Sequence, residues 1–133
     1  MNEHDKAIEG YIKALEINNG SSEAHNNLAN LFSYLNNPEA EYHYKKTIEL
    51  NPNEIYPRLN MSNYFIKNNK FNDSLKHLQD MIELGLESKE VYNSLGVSYK
   101  GLNDDDNASK MFLKSLDMDP NFTLAQKNLD SLK

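Results

Sequence analysis

The sequence of 133 residues has no cysteine, a single arginine (Arg58), five glycines and four prolines. No apolar run approaches the roughly 18 residues that a membrane span requires. Without cysteine the chain can form neither disulfides nor thiolate metal sites. Positive charge is also scarce, with 14 Lys and Arg against 20 Asp and Glu, a formal net charge of −6. The lysines are scattered, whereas binding to nucleic acid calls for clustered Lys and Arg. The start, Met1-Asn2-Glu3-His4-Asp5, is polar and has no leader pattern. These absences point to a cytoplasmic protein that engages neither membrane nor nucleic acid.

Chemistry-bearing motifs are missing as well. There is no Gly-rich phosphate loop, no nucleophile elbow and no convincing carboxylate pair, so the expectation is a non-catalytic chain without a cofactor. Asn103, Asp105 and Asn107 alternate as in a calcium loop, but Ala108 stands where glycine is needed and Lys114 where the bidentate glutamate belongs. Asp104, Asp105 and Asp106 fit a helix N-terminus better, through the macrodipole. His4, His25, His43 and His77 never reach the i, i+3 or i+4 spacing of metal ligands on one helix, so no metal site is expected.

What the sequence has in abundance is asparagine, twenty residues in all. Asn19, Asn60, Asn72, Asn107 and Asn121 begin N-x-[ST] triplets, which so much asparagine produces by chance.

The chain also repeats. Tyr44, Leu78 and Phe112 lie 34 residues apart, and other columns run parallel to them: Leu28, Met61, Leu95 and Leu129; Ala29, Ser62 and Gly96; Phe32, Phe65 and Tyr99; Ala7, Ala40, Ser74 and Ala108; Pro52, Leu86 and Pro120. The first interval is 33, and the shortening falls in the Asn36-Asn37-Pro38 turn. Within each unit two apolar stripes recur at helical spacing, separated by turn residues, which predicts helical hairpins. Helices are expected near 5–17, 22–35, 39–50, 55–68, 71–84, 89–102, 105–118 and 122–132.

These columns resemble the tetratricopeptide repeat. Residues 89–122 carry the pattern best, through Tyr92, Leu95, Gly96, Tyr99, Ala108, Phe112, Ser115 and Pro120. Residues 22–54 match nearly as well, and residues 55–88 depart most, with Arg58 at a bulky position and Met81 at a small one. The resemblance implies an all-α, right-handed α-α superhelix (a solenoid) of antiparallel hairpins, a single array over 1–133. Its parts would be the second helix of a partial repeat (1–21), repeats at 22–54, 55–88 and 89–122, and a capping helix at 123–133.

In this family the first helix of each hairpin lines a concave groove. The sixth repeat position reads Asn27, Asn60, Ser94 and Asn128, the ninth includes Asn30 and Asn63, and the fifth includes Asn26 and Asn93. A carboxamide donates and accepts, so an asparagine ladder can hold the backbone of an extended peptide. The column resembles that of the tetratricopeptide superhelix in O-linked N-acetylglucosamine transferase, with Ser94 as an interruption. The expected function is a protein-interaction module binding a peptide through these asparagines. Alternatives are a substrate-targeting region of a larger enzyme, such as a glycosyltransferase, and a self-associating scaffold. The family's clamp for an acidic chaperone tail does not map: Asn26 replaces its first lysine, and Glu90 and Ser94 replace its last cations.

The ends differ. Gln126, Asp130 and Lys133 give the last helix a polar outer side, as a cap would have. Ala7, Tyr11 and Ala14 leave the first helix with an uncovered apolar face, so that either the chain is the C-terminal part of a longer array or a second copy covers the face in a homodimer.

Overall fold

A computed structural model describes all of residues 1–133 as eight α-helices with no strand. They are α1 (Glu3–Ile17), α2 (Ser22–Tyr34), α3 (Glu39–Leu50), α4 (Ile55–Lys67), α5 (Phe71–Glu83), α6 (Lys89–Gly101), α7 (Asp105–Met118) and α8 (Thr123–Asp130). Residues 1–61 and 62–133 form two compact units, with the boundary inside α4. In the first unit α2 packs against α1 and α3; in the second, α6 packs against α5 and α7, and α8 against α7 and α6.

The helix starts are set by local capping. Asn2, Ser21, Ser88 and Asp104 each accept a hydrogen bond from the backbone N–H three residues on, which satisfies one of the four donors a helix leaves open. The Asn2 cap begins α1 two residues earlier than the hydrophobic pattern predicts. At the other end α8 stops at Asp130, short of the expected 132, as Ser131 Oγ donates to Asn128 O at 2.6 Å.

The turns inside the hairpins share one construction. Asn36, Asn69 and Asn103 all have positive φ, at 57°, 59° and 63°. The residue after each donates its N–H to an aromatic five positions back: Asn37 to Phe32 O (2.7 Å), Lys70 to Phe65 O (2.8 Å) and Asp104 to Tyr99 O (2.9 Å). Each asparagine N–H bonds three residues back, to Ser33, Ile66 and Lys100. This is a Schellman cap, with asparagine in the left-handed position that glycine usually fills. Gly85 closes α5 in the same way, Leu86 N–H reaching Met81 O at 2.9 Å. The 33-residue interval arises where the helix after the first of these turns begins. Ala40 is the second residue of α3, whereas Ser74 and Ala108 are the fourth residues of α5 and α7.

Packing explains the small-residue columns. A Cβ on Gly96 would overlap the fully buried Phe112 ring, so α6 and α7 approach as closely as they do only because that position is glycine. Gly101 stands in the same relation to Phe71. Ser74 and Ser98, both with 0% exposure, meet at 2.7 Å between α5 and α6. One hydroxyl gives its proton to the other, which donates in turn to a carbonyl of its own helix, Phe71 O or Ser94 O. No buried side-chain N or O atom lacks a partner.

α1 is the exception to this close packing. None of its residues is buried; Ala7, Tyr11 and Ala14 are half-buried, and Ile12 and Ile17 are exposed.

Candidate functional site

In the first unit α2 and the start of α4 bring four of the expected asparagines into play. Asn60 Nδ2 donates to Asn26 Oδ1 at 3.3 Å, a bond between the sixth position of one repeat and the fifth position of the repeat before it. Asn30 Oδ1 accepts from the Tyr44 hydroxyl at 2.8 Å, which also satisfies the otherwise buried tyrosine. Asn27, half-buried on α2, makes no side-chain hydrogen bond, so its carboxamide retains both its donors and its acceptor.

The second unit repeats the arrangement. Asn128 Nδ2 donates to Asn93 Oδ1 at 2.9 Å, again a sixth position bonding to the fifth position of the preceding repeat. Ser94 has no amide to offer and gives its hydroxyl to Asn63 Oδ1 at 3.3 Å. Asn93 and Ser94 are buried, at 6% and 7% exposure, while Asn63 is exposed. Asn26 with Asn60, Asn63 with Ser94 and Asn93 with Asn128 are therefore side-chain pairs, and Asn27 stands alone.

Pairing leaves a definite remainder. With Asn26 Oδ1 and one Asn60 N–H engaged, the Asn26 amide group can still donate and Asn60 Oδ1 can still accept. Turning both carboxamides over exchanges these roles and leaves again one acceptor and one donating group. A peptide unit offers the complementary C=O and N–H.

Two clefts flank α2 in the first unit. One, of about 220 Å³, contains Asn26 and Asn60 together with Glu23, Asn51, Glu54 and Tyr56. The other, of about 210 Å³, lies against α1 and contains Asn27, Tyr11 and Ala14. Glu23 borders both.

The histidine arrangement is not evident from sequence. His25 is buried, with Nε2 3.1 Å from Asn19 O and Nδ1 3.0 Å from His43 Nδ1. The carbonyl accepts only from an N–H, so His25 carries its proton on Nε2, and His43 Nδ1–H donates to His25 Nδ1. Burial lowers the pKa of His43 from 6.5, the repulsion that two charged imidazoles would meet at His25 lowers it further, and Glu39 opposes them. No group of three or more His, Asp or Glu is placed to hold a metal ion. His25 and His43 lie on different helices, 18 positions apart, so helical spacing gave no sign of the pair.

Charge in the second unit is organised around helix ends. Lys89 Nζ lies 2.6 Å from Asp119 Oδ2 and over the Phe122 ring at 4.9 Å. That bond, and a second from the Asn121 N–H, hold the Asp119 pKa below its ordinary 3.8. Asp104 is lowered in the same way by bonds from the Asn107 side chain and backbone. These carboxylates fasten turns and are not poised for proton transfer.

The sequence of residues 89–122 matches the tetratricopeptide repeat family. The fold matches solved structures over nearly the whole chain. MamA from Desulfovibrio magneticus RS-1 is 16% identical, with 98% of this chain and 75% of that chain covered and a TM-score of 0.83. PilF of Pseudomonas aeruginosa is 20% identical, with 98% and 69% covered and a TM-score of 0.76. YrrB, a TPR protein, is 21% identical, with 94% and 65% covered and a TM-score of 0.74. Residues 89–122 are thus a tetratricopeptide repeat, and the chain has the fold of tetratricopeptide-repeat proteins. No curated protein is a significant sequence match. The matched repeat and the shared fold support a protein-interaction module. No helix of the chain is long and apolar enough to cross a membrane.

Proposed function

We propose that this chain binds an extended segment of a partner protein by its backbone, through asparagine side chains, and has no catalytic role of its own. The contacts are Asn26, Asn27, Asn30 and Asn60 in the first unit, and Asn63, Asn93, Ser94 and Asn128 in the second. The observation that carries this reading is the Asn26–Asn60 pair, which leaves a donor and an acceptor over in a cleft. YrrB, which shares the fold, is described as having an unusual peptide-binding site. Each backbone bond contributes about 0.5–1.5 kcal/mol net, so three or four give weak to moderate binding unless side-chain subsites add to it. Partner recovery from lysate by the wild type and by Asn27→Ala/Asn60→Ala tests the reading. Selective loss in the variant supports it, and equal recovery of every partner removes it.

A second reading, self-association, is favoured by α1, where no residue is buried and Ile12 and Ile17 are 44% and 89% exposed. Light scattering over a concentration series tests it. A rising mass supports a homodimer; a constant mass with α1 protected from hydrogen exchange removes it.

A further inference from the structure

The cleft that holds Asn26 and Asn60 lies between the first turn of α2, the end of α3 and the start of α4, and the charge on its lining is of one sign. Glu23 and Glu54 border it, and no Lys, Arg or His does. Neither carboxylate is in an ion pair, although Glu3, Glu9, Glu41 and Glu49 of the same unit all pair with a lysine. The last turn of α3 has no basic residue, so the negative end of its dipole is not offset there.

Deeper in, the Thr47 hydroxyl has no proton to give. Thr47 is only 2% exposed, and its hydroxyl already donates to His43 O at 2.9 Å, so towards the cleft Oγ1 can only accept. Tyr56, at the rim and 68% exposed, offers a ring along which an alkyl stem can lie or over which a cation can sit. Arg58, on the same helix, has its Nε bonded to Pro52 O and is not among the lining residues. The volume, about 220 Å³, is below the roughly 300–1,000 Å³ of small-molecule sites and suits a single side chain.

We infer that this cleft is a subsite for one lysine or arginine side chain of the bound segment, read by Glu23 and Glu54 at the rim and by the Thr47 oxygen within. The inference rests on the peptide-binding reading and adds side-chain specificity to it. The Asn26–Asn60 pair then takes backbone while the adjoining acceptors take a cation, which places a basic residue in register with that rung.

The test is an NMR-monitored titration of the full-length isotope-labelled chain. The probe is a short neutral peptide of alternating alanine and serine, with lysine, arginine, norleucine or glutamate at its centre. The lysine and arginine peptides should shift the side-chain amide signals of Asn26, Asn51 and Asn60. They should bind about fivefold to tenfold more tightly than the norleucine peptide, a preference that salt erodes. Glu23→Gln/Glu54→Gln, isosteric and at the surface, should abolish the preference without altering the binding of the norleucine peptide. Equal binding of the lysine and norleucine peptides by the wild type overturns the subsite and leaves backbone recognition standing. A lysine preference that survives in the double variant also overturns it. If no peptide shifts these signals at millimolar concentration, both the subsite and the backbone reading fall.

Discussion

Asn60 Nδ2 and Asn26 Oδ1 are 3.3 Å apart although 34 residues separate them in sequence, and Asn128 and Asn93, 35 residues apart, repeat the bond at 2.9 Å. The pair couples neighbouring repeats as well as offering groups to a ligand. Asn60→Ala should therefore destabilise the chain by about 0.5–1.5 kcal/mol, seen as an earlier urea midpoint. Asn26→Ala and Asn60→Ala should be less than additive in a double-mutant cycle. Asn27→Ala removes no hydrogen bond and should leave the midpoint within about 0.5 kcal/mol of wild type. Any loss of partner by Asn27→Ala then belongs to binding alone.

Gly96→Ala should destabilise the second unit, since the new methyl would overlap the Phe112 ring, which is fully buried. Overpacking costs about 1–3 kcal/mol, partly offset by the better helix propensity of alanine, about 1 kcal/mol. Chemical denaturation should show a net loss, and Phe112→Leu in the same chain should recover part of it. No recovery would mean that the close approach of α6 and α7 is not what requires glycine.

The columns that hold Gly96 and Phe112 were legible because each repeat solves the same packing problem at the same register, while the contact between the two was not. Gly101 against Phe71 was not, as neither belongs to a repeated column. The expected site residues were legible as positions on first helices, but their pairing was not. It joins the fifth position of one repeat to the sixth of the next, and a column read one position at a time cannot show that. The bond of His25 to His43 was not legible, because it depends on how α2 and α3 cross.

The histidine pair predicts a pH dependence. The folded-state pKa of His43 is lowered from 6.5 by burial first and by His25 second, with Glu39 opposing. The unfolded chain thus binds the proton more readily, and the slope of stability against pH is positive in that range. Stability of the first unit should be full above about pH 6.5 and fall as pH drops through that value towards the lower folded pKa. Thermal melts across this range, with imidazole signals tracked by NMR, check the direction. His43→Gln should flatten the slope.

Asn69 gives a test of the turn chemistry. With φ at 59°, an alanine there would meet the left-handed penalty of about 1–2 kcal/mol without the local hydrogen bonding that eases asparagine. Asn69→Ala should lower the melting temperature and Asn69→Gly should not. Asn68, which has ordinary φ and donates its Nδ2 to Tyr64 O at 2.8 Å, serves as the control: Asn68→Gly should not stabilise.

The three asparagine caps also bear on how the chain finds its structure. Each reversal is decided by groups no more than six residues apart, because the closing bonds run from Asn37, Lys70 and Asp104 to carbonyls five positions back. Closing so short a loop costs little entropy, and it needs no contact with a distant repeat. Folding can then begin at any of the three hairpin turns and spread to its neighbours, so no one of these turns is an obligatory starting point.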